Sequence, residues 1–282
     1  MTLSKNILIT GCSSGIGRCL AEGLQARGYR VFATSRKVED VALLRAQGLE
    51  SVQLDVSDSA SIQQAVQEIL IRTSGKIYAL INNAGYGQPG AVEDLRRDVL
   101  REQFETNVFG VLELTNALLP VMRAQQEGRI INISSLLGLV ALPFRGAYNA
   151  SKFALEGLTD TLRLELRSSG IFVSLIEPGP IRSRFRPNSF IAYQKNIRPE
   201  RSAHRAKYRI LEQRLTKSGT AMAFTLTPEA VLKKVIHALE SSRPKPRYYV
   251  TLPTHMAALL KRVLPHRVLD WVLHRLGGDG GR

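Results

Sequence analysis

The chain reads as a doubly wound α/β protein, a parallel sheet of about seven strands with helices on both faces. Three observations predict this. Short apolar runs alternate with helical patterns from the N-terminus onward, the rhythm of parallel strands joined by crossover helices. The first run passes through a glycine-rich turn straight into a helix, and later runs end in small or polar residues where a sheet would present its carboxyl edge.

The first strand spans 5–10 and leads into Thr10-Gly11-Cys12-Ser13-Ser14-Gly15-Ile16-Gly17, followed by a helix over 18–27. Glycines between strand and helix let backbone N–H groups approach a pyrophosphate at the helix N-terminus, which makes Gly11, Ser13, Ser14, Gly15, Ile16 and Gly17 candidate nucleotide contacts. No lysine follows the last glycine, so the turn is not a P-loop. A second strand over 29–34 ends about twenty residues past the turn, where an acidic residue would hold an NAD ribose. Ser35-Arg36-Lys37 stands there instead. An arginine can fork onto a 2′-phosphate that a carboxylate would repel, so Arg36 points to NADP(H); the competing reading is a pair of solvated loop cations.

A helix over 41–47, a strand over 51–54 ending at Asp55, a helix over 59–72 and a strand over 77–81 continue the alternation. The fourth strand runs into Asn82-Asn83-Ala84-Gly85, the kind of strand end at which ligands sit in such sheets. A long helix over 98–123 carries Asn107 in an apolar setting, which by itself reads as a satisfied structural amide. Strand five spans 129–133, a helix runs from Tyr148 to about 169, and strand six spans 171–176 and stops at Glu177-Pro178-Gly179-Pro180.

The chemistry concentrates between Ser134 and Lys152. Tyr148 and Lys152 are four residues apart, so on a helix they share a face. Bringing a phenol from roughly 10 to near neutrality means favouring its phenolate by about 4 kcal/mol. A lysine about 4 Å away at an effective dielectric near 20 supplies on the order of that amount. Ser135, thirteen residues before the tyrosine, could hydrogen-bond a substrate carbonyl while the tyrosine protonates it. The intervening 136–144 segment is strongly apolar and reads as one wall of a substrate pocket.

Composition narrows the class further. At 282 residues and 44% hydrophobic content the chain can bury a large core. Cys12 and Cys19 form neither a disulfide framework nor a zinc motif, which fits a reducing compartment, the cytoplasm, and no metal site is expected. The N-terminus lacks a signal-peptide pattern, and no apolar window reaches spanning length. Net charge is +15, and it is uneven: residues 1–182 hold 19 basic and 18 acidic side chains, residues 183–282 hold 20 and 6. That tail does not read as a nucleic-acid binder, because its aromatics are sparse and no recognition motif occurs.

T-G-C-S-S-G-I-G, N-N-A-G, the serine thirteen before Y-N-A-S-K, and P-G-P-I stand in the order and spacing of the short-chain dehydrogenase/reductase family, which the chain resembles over residues 5–183. The resemblance implies a Rossmann-type fold and catalytic roles for Ser135, Tyr148 and Lys152, with Asn107 supporting a water relay to the lysine. It implies that Asp55 and Asn83, with Ala84 and Gly85, border the adenosine end of the cofactor. Pro178, Gly179, Ile181 and Ser183 would then help hold the nicotinamide carboxamide, although the family usually has threonine where Ser183 stands. It also implies a homodimer through the helices around 98–123 and 148–169. R-G-A-Y-N-A-S-K-F-A-L-E and K-P-R-Y-Y-V-T look similar to bacterial NADP-dependent aldehyde reductases and to 17β-hydroxysteroid and retinol dehydrogenases. Long-chain aldehydes, retinoids and steroids are the substrates implied, in that order.

A single catalytic domain over 1–252 is expected. Within it, 183–226 forms a substrate lid of cations mixed with Phe185, Phe190, Tyr193 and Tyr208, without a sheet pattern; a solvated amphipathic excursion is the alternative. Thr227 should cap a helix with Pro228 in its first turn, and 247–250 reads as a seventh strand. The 253–282 extension is basic and amphipathic with a break at Pro265, suited either to the membrane surface or to packing on the domain. The expected activity is NADPH-dependent reduction of an apolar aldehyde or ketone, reversibly. A non-catalytic NADP(H) sensor or scaffold is the alternative; it requires a damaged catalytic set, and this set is intact.

Overall fold

The computed structural model describes residues 5–217 and 224–277; the expected lid over 183–226 and the extension over 253–282 each lie partly outside them. Seven parallel strands form one sheet in the order 3-2-1-4-5-6-7: β1 (Asn6–Ile9), β2 (Arg30–Ser35), β3 (Glu50–Gln53), β4 (Ala79–Asn82), β5 (Gly128–Ile133), β6 (Ile171–Glu177) and β7 (Arg247–Tyr249). The order reverses between β1 and β4, whose register pairs Ile7 with Ala79 and Ile9 with Ile81. Such a switch opens a crevice at the carboxyl edge.

Strands covered on both faces must be apolar throughout, and β1, β4 and β5 are almost wholly buried. On one face α1 (Gly15–Ala26) and α9 (Glu229–Glu240) pack Leu20, Leu24, Val231 and Val235 against Ile7, Ile9 and Ile131. On the other, α3 (Ser59–Arg72), α5 (Gly110–Gln125) and α6 (Gly146–Glu165) surround Leu8, Leu80 and Ile130 with Ile62, Leu114, Leu118 and Leu162. The short α2 (Val38–Ala46) covers the β2–β3 edge through Leu44. Asp58 caps α3 by accepting the Ala60 N–H at 2.9 Å. Ser14 and Arg145, which precede α1 and α6, make no such side-chain cap.

Three expectations change. The helix over 98–123 is two helices, α4 (Arg97–Phe104) and α5, joined by a π-turn over Glu105–Phe109. Its cause is packing: a Cβ on Gly110 would lie 1.8 Å from the Val56 carbonyl oxygen, and the widened turn delivers the fully buried Asn107 toward the sheet edge. The region after β6, expected to lack a sheet pattern, is helical, with α7 (Phe185–Asn196) and α8 (Arg205–Thr216) burying Tyr193 and Tyr208 against Ala91 and Ile197. Pro228 itself occupies the N-cap of α9, so Thr227 stands one position too early to cap it. The apolar 136–144 segment does not simply line a pocket. Leu139 and Val140 pack on Ala257 and Ala258 of α10 (Leu252–Val263) and near Leu273 of α11 (His266–Gly277), while Phe144 joins the lid cluster. The break expected at Pro265 separates α10 from α11.

Candidate active site

The cofactor side is built around the turn after β1. Gly11 and Gly15 have φ values of +72° and +59°, and a Cβ on Gly17 would stand 2.2 Å from the Gly11 carbonyl oxygen. Only a bare backbone makes this turn, and it leaves the uncapped first turn of α1 facing the crevice. Thr10 locks the turn to the end of β4: its hydroxyl accepts the N–H groups of Asn83 and Ala84, both at 2.9 Å. The Asn83 side chain donates to the carbonyls of Thr10 and Gly11 at 2.8 and 3.1 Å, so its amide shapes the turn rather than standing free for an adenosine. Thr10, absent from the candidate set, was visible in the sequence only as the first letter of the motif.

Arg36 follows β2 with 69% of its side chain exposed, and its Nε lies 4.0 Å from Asp55 Oδ2. Asp55 is otherwise occupied by the Ser57 N–H and hydroxyl, at 3.0 and 2.6 Å. A solvated guanidinium loosely held at the end of β2 fits a ribose phosphate. Ser183 approaches the turn from the far side, 3.0 Å from where a Gly15 Cβ would be, so the strap after Pro178 and Gly179 closes the same crevice beyond Ile181. These glycine contacts, the uncapped helix and the loosely held arginine fit a dinucleotide.

At the other end, α6 places Tyr148 and Lys152 on one face, with the lysine Nζ 5.7 Å from the tyrosine ring centre. Ser135, at the end of β5, accepts the Leu137 N–H at 3.1 Å, and its hydroxyl lies near enough to the Tyr148 phenol to favour the phenolate. Lys152 is buried and donates to the Ile133 carbonyl at 2.8 Å. Asn107 accepts the Tyr86 N–H at 3.2 Å and donates to the Tyr86 carbonyl and to Ser151 Oγ at 3.1 and 3.0 Å. Gly85 lies between Asn107 and Lys152: its Cβ would be 3.1 Å from Asn107 Oδ1 and 3.9 Å from Lys152 Nζ. Asn107 is thus satisfied structurally, with its oxygen directed to the space it shares with the lysine. Phe185 of α7 meets the Tyr148 ring edge-on at 5.2 Å and crosses Gly87, where a Cβ would come within 2.7 Å of it.

The electrostatics correct the expectation that the lysine brings the tyrosine near neutrality. Burial pushes the Tyr148 phenol up to about 12, outweighing the nearby Ser135 hydroxyl and the positive charge of Arg145 that favour its anion. Burial likewise brings Lys152 down to about 8, against the pull of Glu156 one turn further along α6. Each group is driven toward its neutral form because desolvation opposes either charge. Tyr148 is therefore a proton donor throughout the neutral range.

Behind this pair lies a polar cluster with no counterpart among the candidate residues. Arg247 of β7 binds Glu156, Glu177 at 2.6 Å and Asp160 at 2.5 Å. Glu177 is fully buried, and burial together with the charge of Glu156 lifts its carboxyl to about 8. No group of three or more potential metal ligands is found among the described residues.

A nucleotide cradle and a proton-donating tyrosine at one carboxyl edge define an oxidoreductase of the Rossmann-type class. The chain belongs to the short-chain dehydrogenase family, whose model matches residues 5–193. It is 44% identical over 271 residues to the uncharacterized oxidoreductase YbbO of Escherichia coli K12, covering 96% of this chain and 94% of that protein. Human 17-beta-hydroxysteroid dehydrogenase type 1 is 34% identical over 257 residues, 87% of this chain and 77% of the enzyme. A solved Burkholderia phymatum short-chain dehydrogenase/reductase in complex with NAD superposes with a TM-score of 0.75 at 30% identity, covering 95% of each chain.

Proposed function

We propose that the protein reduces the carbonyl of an apolar aldehyde or ketone with NADPH, reversibly, long-chain aldehydes ranking before retinoids and steroids. The observation that carries the reading is the buried Tyr148 phenol, with Ser135 near enough to favour its anion, Lys152 on the same face of α6 and Phe185 edge-on against the ring. The β1–β4 crevice would hold NADPH with Arg36 at its 2′-phosphate, and the bound cofactor would supply the hydride for the carbonyl carbon. Ser135 hydrogen-bonds the carbonyl oxygen, and Tyr148 delivers the proton that completes the alcohol. Lys152, still largely protonated at neutral pH, stabilises the phenolate left behind. The relative named for a hydroxysteroid supports a bulky apolar alcohol or ketone as one member of the substrate class.

The direct test is a panel of aldehydes and ketones of graded chain length with both reduced cofactors. NADPH oxidation should increase with chain length; NADPH binding without turnover of any member favours the sensor alternative. In the same assay Arg36→Asp should move the NADPH-to-NADH preference by roughly 10–100-fold toward NADH, the worth of one charge-assisted contact. An unchanged ratio removes Arg36 from the cofactor site.

Exposed Leu100, Phe109, Leu112 and Leu158, on α4, the π-turn, α5 and α6 in that order, support the homodimer reading. No described helix is long and apolar enough to cross a membrane. Peripheral contact is supported by α10, whose exposed Leu252, Met256, Leu259 and Val263 form one stripe opposite the packed Thr254, Ala257 and Ala258. Trp271, 57% exposed beneath Arg275 at 4.0 Å, adds an interfacial aromatic on α11. The double variant Met256→Asp, Leu259→Asp should lose cosedimentation with phosphatidylserine vesicles; equal binding by both proteins rejects the contact.

A further inference from the structure

We propose that Arg145 anchors a carboxylate of the substrate, so that the reacting carbonyl belongs to an oxo acid with an otherwise apolar chain. This rests on the reductase reading above and narrows its substrate.

Arg145 closes the 136–144 segment and stands at the N-cap of α6, three residues before Tyr148 and bridged to Gly90. Its backbone carbonyl accepts the Asn149 N–H at 2.8 Å. Its guanidinium is partly buried, yet among the described residues no carboxylate, carbonyl or hydroxyl bonds to it. Other partly buried arginines are provided for: Arg30 and Arg72 with Glu50, Arg163 with Asp160, Arg247 with three carboxylates. Nor is a nearby acid in reserve. Asp94 accepts the hydroxyls of Ser202 and Tyr208, both at 2.6 Å, Glu93 meets His204, and Glu212 accepts the Tyr193 hydroxyl at 2.8 Å.

The surroundings deepen the deficit. Enclosure lowers the pKa of Arg145, and the charge of Arg214 on α8 lowers it further. The charge of Arg145 in turn reaches the Tyr148 phenol. The charge of Arg145 and the uncapped N-terminus of α6 thus lie next to the proton donor, with Arg214 in electrostatic reach of Arg145. A desolvated guanidinium without an anion is costly, and a carboxylate is the planar group its donors match two at a time. The apolar lid residues accommodate the remaining chain.

The test compares a medium-chain oxo acid with its methyl ester, the same skeleton without the charge, using NADPH. The wild type should prefer the acid, and Arg145→Gln should lower the acid-to-ester ratio of kcat/KM by about 100-fold, chiefly through KM, with Arg145→Lys retaining part of it. An unvaried protein gives a second reading: a saturated fatty acid should inhibit competitively at lower concentration than the alcohol of equal length. Equal use of acid and ester, a Gln variant that lowers both alike, or equal inhibition by fatty acid and alcohol overturns the assignment while leaving the reductase intact. Failure to turn over any carbonyl compound with NADPH overturns the reductase reading and this one with it.

Discussion

Tyr148→Phe should reduce carbonyl-dependent NADPH oxidation by about 10²–10⁴-fold, the range that one positioned proton donor contributes. NADPH affinity, followed by nucleotide fluorescence, should stay within about twofold. The substitution removes one oxygen and keeps the ring, so the edge-on contact with Phe185 at 5.2 Å survives and the fold is not put at risk. Because burial pushes the phenol up to about 12, the reduction direction finds its donor protonated at every ordinary pH. The reverse oxidation needs the phenolate, so its kcat/KM should climb as pH rises toward the tyrosine's own titration. A Phe variant retaining most of its activity would remove Tyr148 from the chemistry.

The second large effect lies away from the substrate. Arg247→Met removes the guanidinium shared by Glu156, Glu177 and Asp160; Asp160 keeps Arg163, but the buried Glu156 is left without a cation, which costs about 3–5 kcal/mol, measurable as a lower midpoint in chemical denaturation. Glu177 adds a pH signature. Its folded pKa is raised from 4.5 to about 8, so the folded chain binds the proton more tightly than the unfolded one. Its contribution is therefore fully present below 4.5, declines as pH rises, and is gone above 8. Glu177→Gln should flatten that decline; an identical slope in the variant would show that another group causes it.

What the sequence disclosed follows from how far apart the partners lie. The Gly11–Gly17 turn, the strand end at Asn82 and the Tyr148–Lys152 spacing are each local, and local geometry is legible in a short window. Arg247 reaches Glu156 across 91 residues and Glu177 across 70, a meeting arranged only by the β6–β7 pairing. The π-turn at Asn107 depends on the approach of Gly110 to the Val56 carbonyl, which no helical periodicity encodes. The tyrosine's titration is hidden from the sequence for a related reason: charge separation can be read from spacing, whereas burial is a property of the assembled site.

The 136–144 segment is gripped from two sides, by Ala257 and Ala258 through Leu139 and Val140, and by Tyr208 through Phe144. The segment is accordingly not a modular unit of the fold. A chimera that imports this loop alone from a relative would arrive without the tail and lid surfaces cut to receive it. Retargeting the enzyme means transplanting all three pieces together, or leaving the loop fixed and varying the lid residues that face it.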